Sequence, residues 1–177
     1  MLPAAPLRRL SRPDVPLRSV EYGQTRHPVQ VAHAGATYVG SDKCEKCHAN
    51  AYAVWKSSAH SHAYQTLEKA SRPSLRQYDA ECVVCHVIGF GYQGGFGGEK
   101  QTPNLKDVRC ESCHGPASLH VANPKNQAFR EALNPWKAQP GEDGAKRVGR
   151  IDQSCQKCHD TDNDVRWSFD KWKLIAH

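Results

Sequence analysis

At 177 residues the chain is long enough for one ordinary domain. Only 38% of it is hydrophobic and its mean hydropathy is −0.71, which is lean for a core built from side chains alone. The formal charge of +6 comes without a Lys/Arg run interleaved with aromatics, which argues against nucleic-acid binding, and no apolar run approaches the roughly 20 residues of a membrane span.

Residues 1–36 read as a linker or N-terminal extension. Pro3, Pro6, Pro13, Pro16 and Pro28 break any helix, and Arg8, Arg9, Arg12, Arg18 and Arg26 dominate the charge. No apolar segment follows Arg8-Arg9, so the pair is not read as a twin-arginine signal. The domain proper is expected over residues 37–177. Ser41 or Asp42 caps a helix that should run through Cys44 and Cys47 to Trp55. Ser57-Ser58 interrupts, and a second helix is expected from Ser61 to Ala70, ended by Arg72-Pro73. The run Gly89 to Gly98, "GFGYQGGFGG", holds six glycines and cannot be a regular element. We expect its backbone to pass close to a bound group, which glycine permits. Gly115-Pro116 stops a helix at the third cysteine pair, Lys125 to Leu133 reads as a short helix, and Pro140 to Gly149 as a polar loop. A helix should carry the fourth pair, and a last one should run from about Ser168 to Ala176. No strand pattern stands out, so the fold class is mainly α with long loops.

The eight cysteines fall as Cys44/Cys47, Cys82/Cys85, Cys110/Cys113 and Cys155/Cys158, with none left over. The motifs read CEKCH, CVVCH, CESCH and CQKCH, so His48, His86, His114 and His159 each follow a pair. Histidine is 10 of 177 residues, which puts four such placements by chance on the order of one in a hundred thousand. Zinc is indifferent to that histidine, and a thioredoxin-like site wants a single pair. Covalent haem needs it: two thiols two residues apart add to the porphyrin vinyl groups, and the adjacent imidazole turns under the ring to iron. Four c-type haems are therefore expected, bound by all eight cysteines. They would supply the missing apolar core, and the chain without them should be largely unfolded. With their propionates ionised, the net charge becomes about +2 oxidised and about −2 reduced. Gaps of 38, 28 and 45 residues between first cysteines exclude a solenoid.

A low-spin electron carrier wants a second strong ligand on each iron. Six histidines remain. His120 lies too close to His114 to reach the far face of the same ring, so it should cap a neighbouring haem. His60 follows His48 on the next helical stretch, and His177 ends the last helix. His62 would face differently from His60 on a helix, and His27 and His33 lie in the linker. Three distal candidates for four irons leave one short, and the glycine-rich loop after His86 points to the second haem as the one without a protein ligand.

The segments "YVGSDKCEKCH", "AYAVWKSSAHSHA", "ECVVCHVIGFGYQGGF", "VRCESCHGPASLH", "CQKCHDTDND" and "FDKWKLIAH" resemble the tetrahaem cytochrome c-554 / c-prime family over residues 38–177. The resemblance implies a small haem-packed multihaem fold with little or no sheet and haems in close stacks. It implies three bis-histidine irons, His120 on the haem of the first motif, and an open second haem; which of the third and fourth takes His60 and which His177 stays open. It also implies relatives fused behind other extracytoplasmic domains. Electron transfer between redox donor and acceptor proteins is the leading expectation, with no catalytic side chain named. A haem enzyme acting on a small nitrogen or sulfur oxide at the second iron is the alternative, and a subunit of a larger complex or parent polypeptide is a third. Haem attachment outside the bacterial cytoplasm implies a periplasmic or other extracytoplasmic location and an export signal ahead of this sequence.

Overall fold

The computed structural model describes residues 35–172, so His27, His33 and His177 lie outside the described residues. Short helices follow one another: α1 Asp42–Glu45, α2 Ala49–Ser57, α3 Ala63–Glu68, α4 Ala80–His86, α5 Cys110–His114, α6 Ser118–Ala122, α7 Gln127–Ala132, α8 Gly144–Cys155 and α9 Phe169–Trp172. Single 3₁₀ turns at Ala59–His62, Arg76–Tyr78 and Pro103–Leu105 lie between them. Among the described residues the sheet content is one isolated antiparallel bridge, Val87 to Lys106. The mainly α class holds.

The helix expected from Ser41 to Trp55 is split. The backbone leaves helical values at His48, with φ −120° and ψ 44°. Ser58 is extended (φ −88°, ψ 162°) and ends α2, its hydroxyl donating to the Trp55 carbonyl at 2.7 Å. The stretch Ser61 to Ala70 divides into a 3₁₀ turn and α3. The polar loop expected at Pro140 to Gly149 is instead the start of α8. Asp143 caps that helix by accepting from Lys146 N at 2.7 Å, and Arg150 donates to both oxygens of Glu142 at 2.7 and 2.8 Å. An N-cap and a two-pronged ion pair outweigh the cost of Gly144 and Gly149 in a helix. That helix ends at Cys155, so the rest of the fourth motif lies in the turn that follows.

The hydrophobic core is one cluster of Tyr64, Leu67, Val83, Val87, Ile88, Phe96 and Leu105, flanked by Tyr38, Cys82 and Phe90. A strap from Leu105 to Arg109 crosses it. Ile88 N donates to Leu105 O at 2.8 Å, Tyr64 N to Asp107 Oδ1 at 3.0 Å, and buried Trp55 Nε1 to Val108 O at 2.8 Å. The glycine-rich loop folds on itself over this cluster. A Cβ on Gly95 would run into the Gly89 carbonyl, and one on Gly89, whose φ is +64°, would meet the Tyr38 ring. At these two positions glycine is required by protein neighbours. Past Ala117, no hydrophobic residue among those described is buried. Among the described residues, the four helices past Ala117, α6 to α9, thus form without a core of their own.

A second tie joins the start of the domain to the third motif. Glu111 is 1% exposed. Its carboxylate accepts from Gly40 N at 2.7 Å, Ala117 N at 2.8 Å and Val39 N at 3.1 Å. Ser41 Oγ accepts from Cys110 N at 3.0 Å, and Ser118 N donates to Thr37 O at 3.1 Å.

Candidate haem centres

Each motif is a single helical turn. In the first, His48 N donates to Cys44 O at 2.9 Å; in the fourth, His159 N donates to Cys155 O at 3.0 Å. The second and third motifs close α4 and α5. Positions i, i+3 and i+4 share one helix face, so both thiols and the imidazole of each motif project to one side. None of the eight cysteines forms a disulfide.

Three of the four motif histidines are held by their Nδ1 atoms. His86 Nδ1 lies 2.7 Å from Ala63 O, His114 Nδ1 2.7 Å from Leu133 O, and His159 Nδ1 2.9 Å from Asp164 Oδ2. A carbonyl or carboxylate oxygen only accepts, so Nδ1 carries the proton and Nε2 keeps its lone pair for a metal. Two indoles back these rings. Trp136 meets His114 edge-on at 5.3 Å, and Trp167 stacks on His159 at 4.2 Å and 21°. Both indole N–H groups donate to α8, Trp136 to Ser154 Oγ at 3.0 Å and Trp167 to Asp152 Oδ1 at 2.9 Å.

Two pairs of histidines face each other. The His48 and His120 ring centres are 6.3 Å apart, and those of His60 and His159 are 5.9 Å apart. An imidazole nitrogen binds a metal ion at about 2 Å, so two rings on opposite sides of one ion have centres about 6 Å apart. The pairs come in twos, which suits an iron already held by four porphyrin nitrogens. Burial, with His159 and His86 nearby, pulls the His60 imidazole down to about 4, so it is neutral and able to bind metal at ordinary pH. His120 is also lowered, first by burial and then by His48 and Arg130, and its Nδ1 is buried with no hydrogen-bond partner. His62 is exposed, with a Ser61 Oγ contact at 3.2 Å. Among the described residues no second imidazole is paired with His86.

The thiols show how the motifs adjoin. The Cys44 thiol is raised chiefly by its hydrogen bond with Cys110, and Cys158 chiefly by its hydrogen bond with Cys85. Burial first, then Cys155 and Cys110, push Cys113 up to about 12. The first motif therefore abuts the third, the third abuts the fourth, and the fourth abuts the second.

These features fit covalent haem: four one-sided Cys/Cys/His turns, three imidazoles whose proton is held on Nδ1, an orphaned buried imidazole nitrogen, and a C-terminal half without a core among the described residues. Residues 43–115 match the family described as cytochrome c554 and c-prime. Over those residues the chain is similar to that family.

Cytochrome c-554 of Nitrosomonas europaea is 35% identical over 71% of this chain. The chain spans 59% of the length of that curated relative. A solved structure, the reduced state of cytochrome c554 from Nitrosomonas europaea, is similar with a TM-score of 0.52. It is 26% identical, and the match covers 78% of this chain and 82% of the other. The chain is thus similar to c-type cytochromes of this kind. No helix among the described residues is long and apolar enough to cross a membrane.

Sequence reasoning did not find Glu111, Asp164, Trp136 or Trp167. Glu111 had no distinguishing signal, because Glu45 occupies the same place in the first motif and is exposed. The indoles could have been suspected, since Trp is scarce here, at four residues.

Proposed function

We propose that the chain is a c-type cytochrome that carries electrons through four covalently bound haems in an extracytoplasmic, periplasmic redox chain. Cys44/Cys47, Cys82/Cys85, Cys110/Cys113 and Cys155/Cys158 would hold them, with His48, His86, His114 and His159 as proximal ligands. The observation that carries this reading is the facing of His48 by His120 and of His60 by His159 at the spacing of a bis-imidazole iron. His120 then caps the first iron and His60 the fourth, which leaves His177 for the third. Bound haem supplies a one-electron ferric/ferrous couple. Two backbone carbonyls and the Asp164 carboxylate hold the His86, His114 and His159 imidazoles in one orientation, with the proton on Nδ1, and the facing histidines would cap irons with strong ligands that exclude substrates. The adjoining motifs run first, third, fourth, second, which gives a continuous path. Residues 37–177 form the tetrahaem unit behind a 1–36 linker, and its partners are a redox donor and acceptor or a larger parent polypeptide.

A second reading rests on His86, which lacks a facing imidazole among the described residues: an open second iron that binds a small nitrogen or sulfur oxide. Both readings are tested by producing the chain in a host that attaches haem and recording mass, electron paramagnetic resonance and CO difference spectra. Electron transfer expects a mass four haems above the polypeptide and at most one CO-responsive iron. His60→Ala and His120→Ala should each convert one further haem from low to high spin. Absence of a CO response would remove the enzymatic reading. A haem-free protein that binds zinc would refute both.

A further inference from the structure

Three proximal histidines have identified Nδ1 partners, and one partner is unlike the others. His86 and His114 donate to the neutral carbonyls of Ala63 and Leu133, whereas His159 donates to the Asp164 carboxylate at 2.9 Å. The carboxylate is not placed by chance. Asp160 Oδ1 accepts from Asp162 N at 3.0 Å and from Asn163 N at 2.8 Å, and Asp164 N donates to Asp160 O at 2.8 Å. Trp167 N donates back to Asp164 O at 3.0 Å, and the Trp167 ring stacks on the same imidazole. One turn thus delivers both a carboxylate and an indole to His159, and α8 locks the indole through Asp152. The imidazole is fixed on its Nδ1 edge by Asp164, on one face by Trp167, and faces His60 across 5.9 Å.

We propose that Asp164 is a positioning residue that makes His159 the most electron-donating of these three proximal ligands and so holds the fourth haem at a lower reduction potential than a carbonyl partner would. This rests on the reading of His159 and His60 as ligands of one iron. An anionic acceptor on the outer nitrogen raises the basicity of the metal-bound nitrogen. A more basic ligand, and a negative charge behind it, stabilise ferric over ferrous iron, and outer hydrogen bonding is one of the levers by which protein tunes haem. The chain thereby differentiates a haem whose axial ligand pair is chemically the same as that of the first.

The test uses the haem-loaded protein and four forms: wild type, Asp164→Asn, Asp164→Glu and His60→Ala. Ferric low-spin signals are followed by electron paramagnetic resonance during a potentiometric titration. His60→Ala identifies the fourth haem as the signal that leaves the low-spin set. Asp164→Asn keeps an oxygen acceptor of the same size but removes its charge. That one signal should then titrate at a higher potential, with the other low-spin signals unmoved, and Asp164→Glu should restore most of the shift. If His60→Ala exposes the fourth haem and Asp164→Asn leaves its potential in place, or moves every low-spin signal together, the role of Asp164 is refuted while the ligand reading stands. If His60→Ala removes no signal from the low-spin set, the ligand reading fails and the role of Asp164 fails with it.

Discussion

Glu111→Ala should destabilise the haem-loaded protein by about 3–5 kcal/mol. The carboxylate is 1% exposed and serves three backbone donors, Val39, Gly40 and Ala117, at 2.7 to 3.1 Å. Truncation leaves these N–H groups without an acceptor in a site closed to water, at about 1–3 kcal/mol each. Part of that loss is returned, because a buried charge is removed as well. Glu111→Gln keeps one acceptor oxygen but turns an NH₂ toward a donor, so it should cost about 2 kcal/mol. Guanidinium unfolding followed by far-ultraviolet circular dichroism measures both, and covalent haem keeps the cofactor in the unfolded reference. A pH series adds a second check. Burial raises the Glu111 carboxyl above its ordinary 4.5 despite the three N–H groups, which act to lower it. With the folded value above the unfolded one, the stability linked to its protonation is full below 4.5 and is lost as pH rises through the raised value. The advantage of wild type over Glu111→Gln should therefore narrow from pH 4 toward pH 7. A Glu111→Ala protein within about 0.5 kcal/mol of wild type, or an advantage that widens with pH, would refute the reasoning.

Gly95→Ala should cost about 1–3 kcal/mol by forcing the loop apart at the Gly89 carbonyl; Gly97→Ala, with open space around it, should be near neutral by the same unfolding assay. In the chain produced without haem attachment, hydrogen exchange should be fast throughout α6, α7 and α8. Any residual protection should be confined to the Tyr64–Leu105 cluster, and protection spread evenly across both halves would show that the C-terminal half has a core of its own.

The chemistry of the centres was legible because it is local. Two cysteines and a histidine within five residues form one helical turn whatever surrounds them, and the scarcity of hydrophobic residues pointed to a core from elsewhere. His60 over His62 was readable from helical direction, and His60 does face His159 while His62 is exposed. Helix α8 was missed because Gly144 and Gly149 weigh toward a loop, while the Asp143 cap and the Glu142–Arg150 pair that outweigh them depend on details of position. The division of the first helix at His48 was missed because helix propensity gives no warning of the non-helical backbone there. The tie from Glu111 to residues 39–40 joins segments about 70 positions apart, and no periodicity reports such a crossing. His120 could be named as a ligand for a neighbouring motif, but its nearness to His48 follows from that same crossing.

The adjoining of Cys44 with Cys110 and of Cys85 with Cys158 has a consequence for maturation. If each motif carries a haem as proposed, a chain threaded to the attachment machinery N-terminus first would acquire its first and second haems early, at opposite ends of the row, and the two inner positions would be filled last. A molecule halted midway would hold two isolated outer cofactors with a gap between them, and the row becomes continuous only when the final pair of thioether bonds has closed.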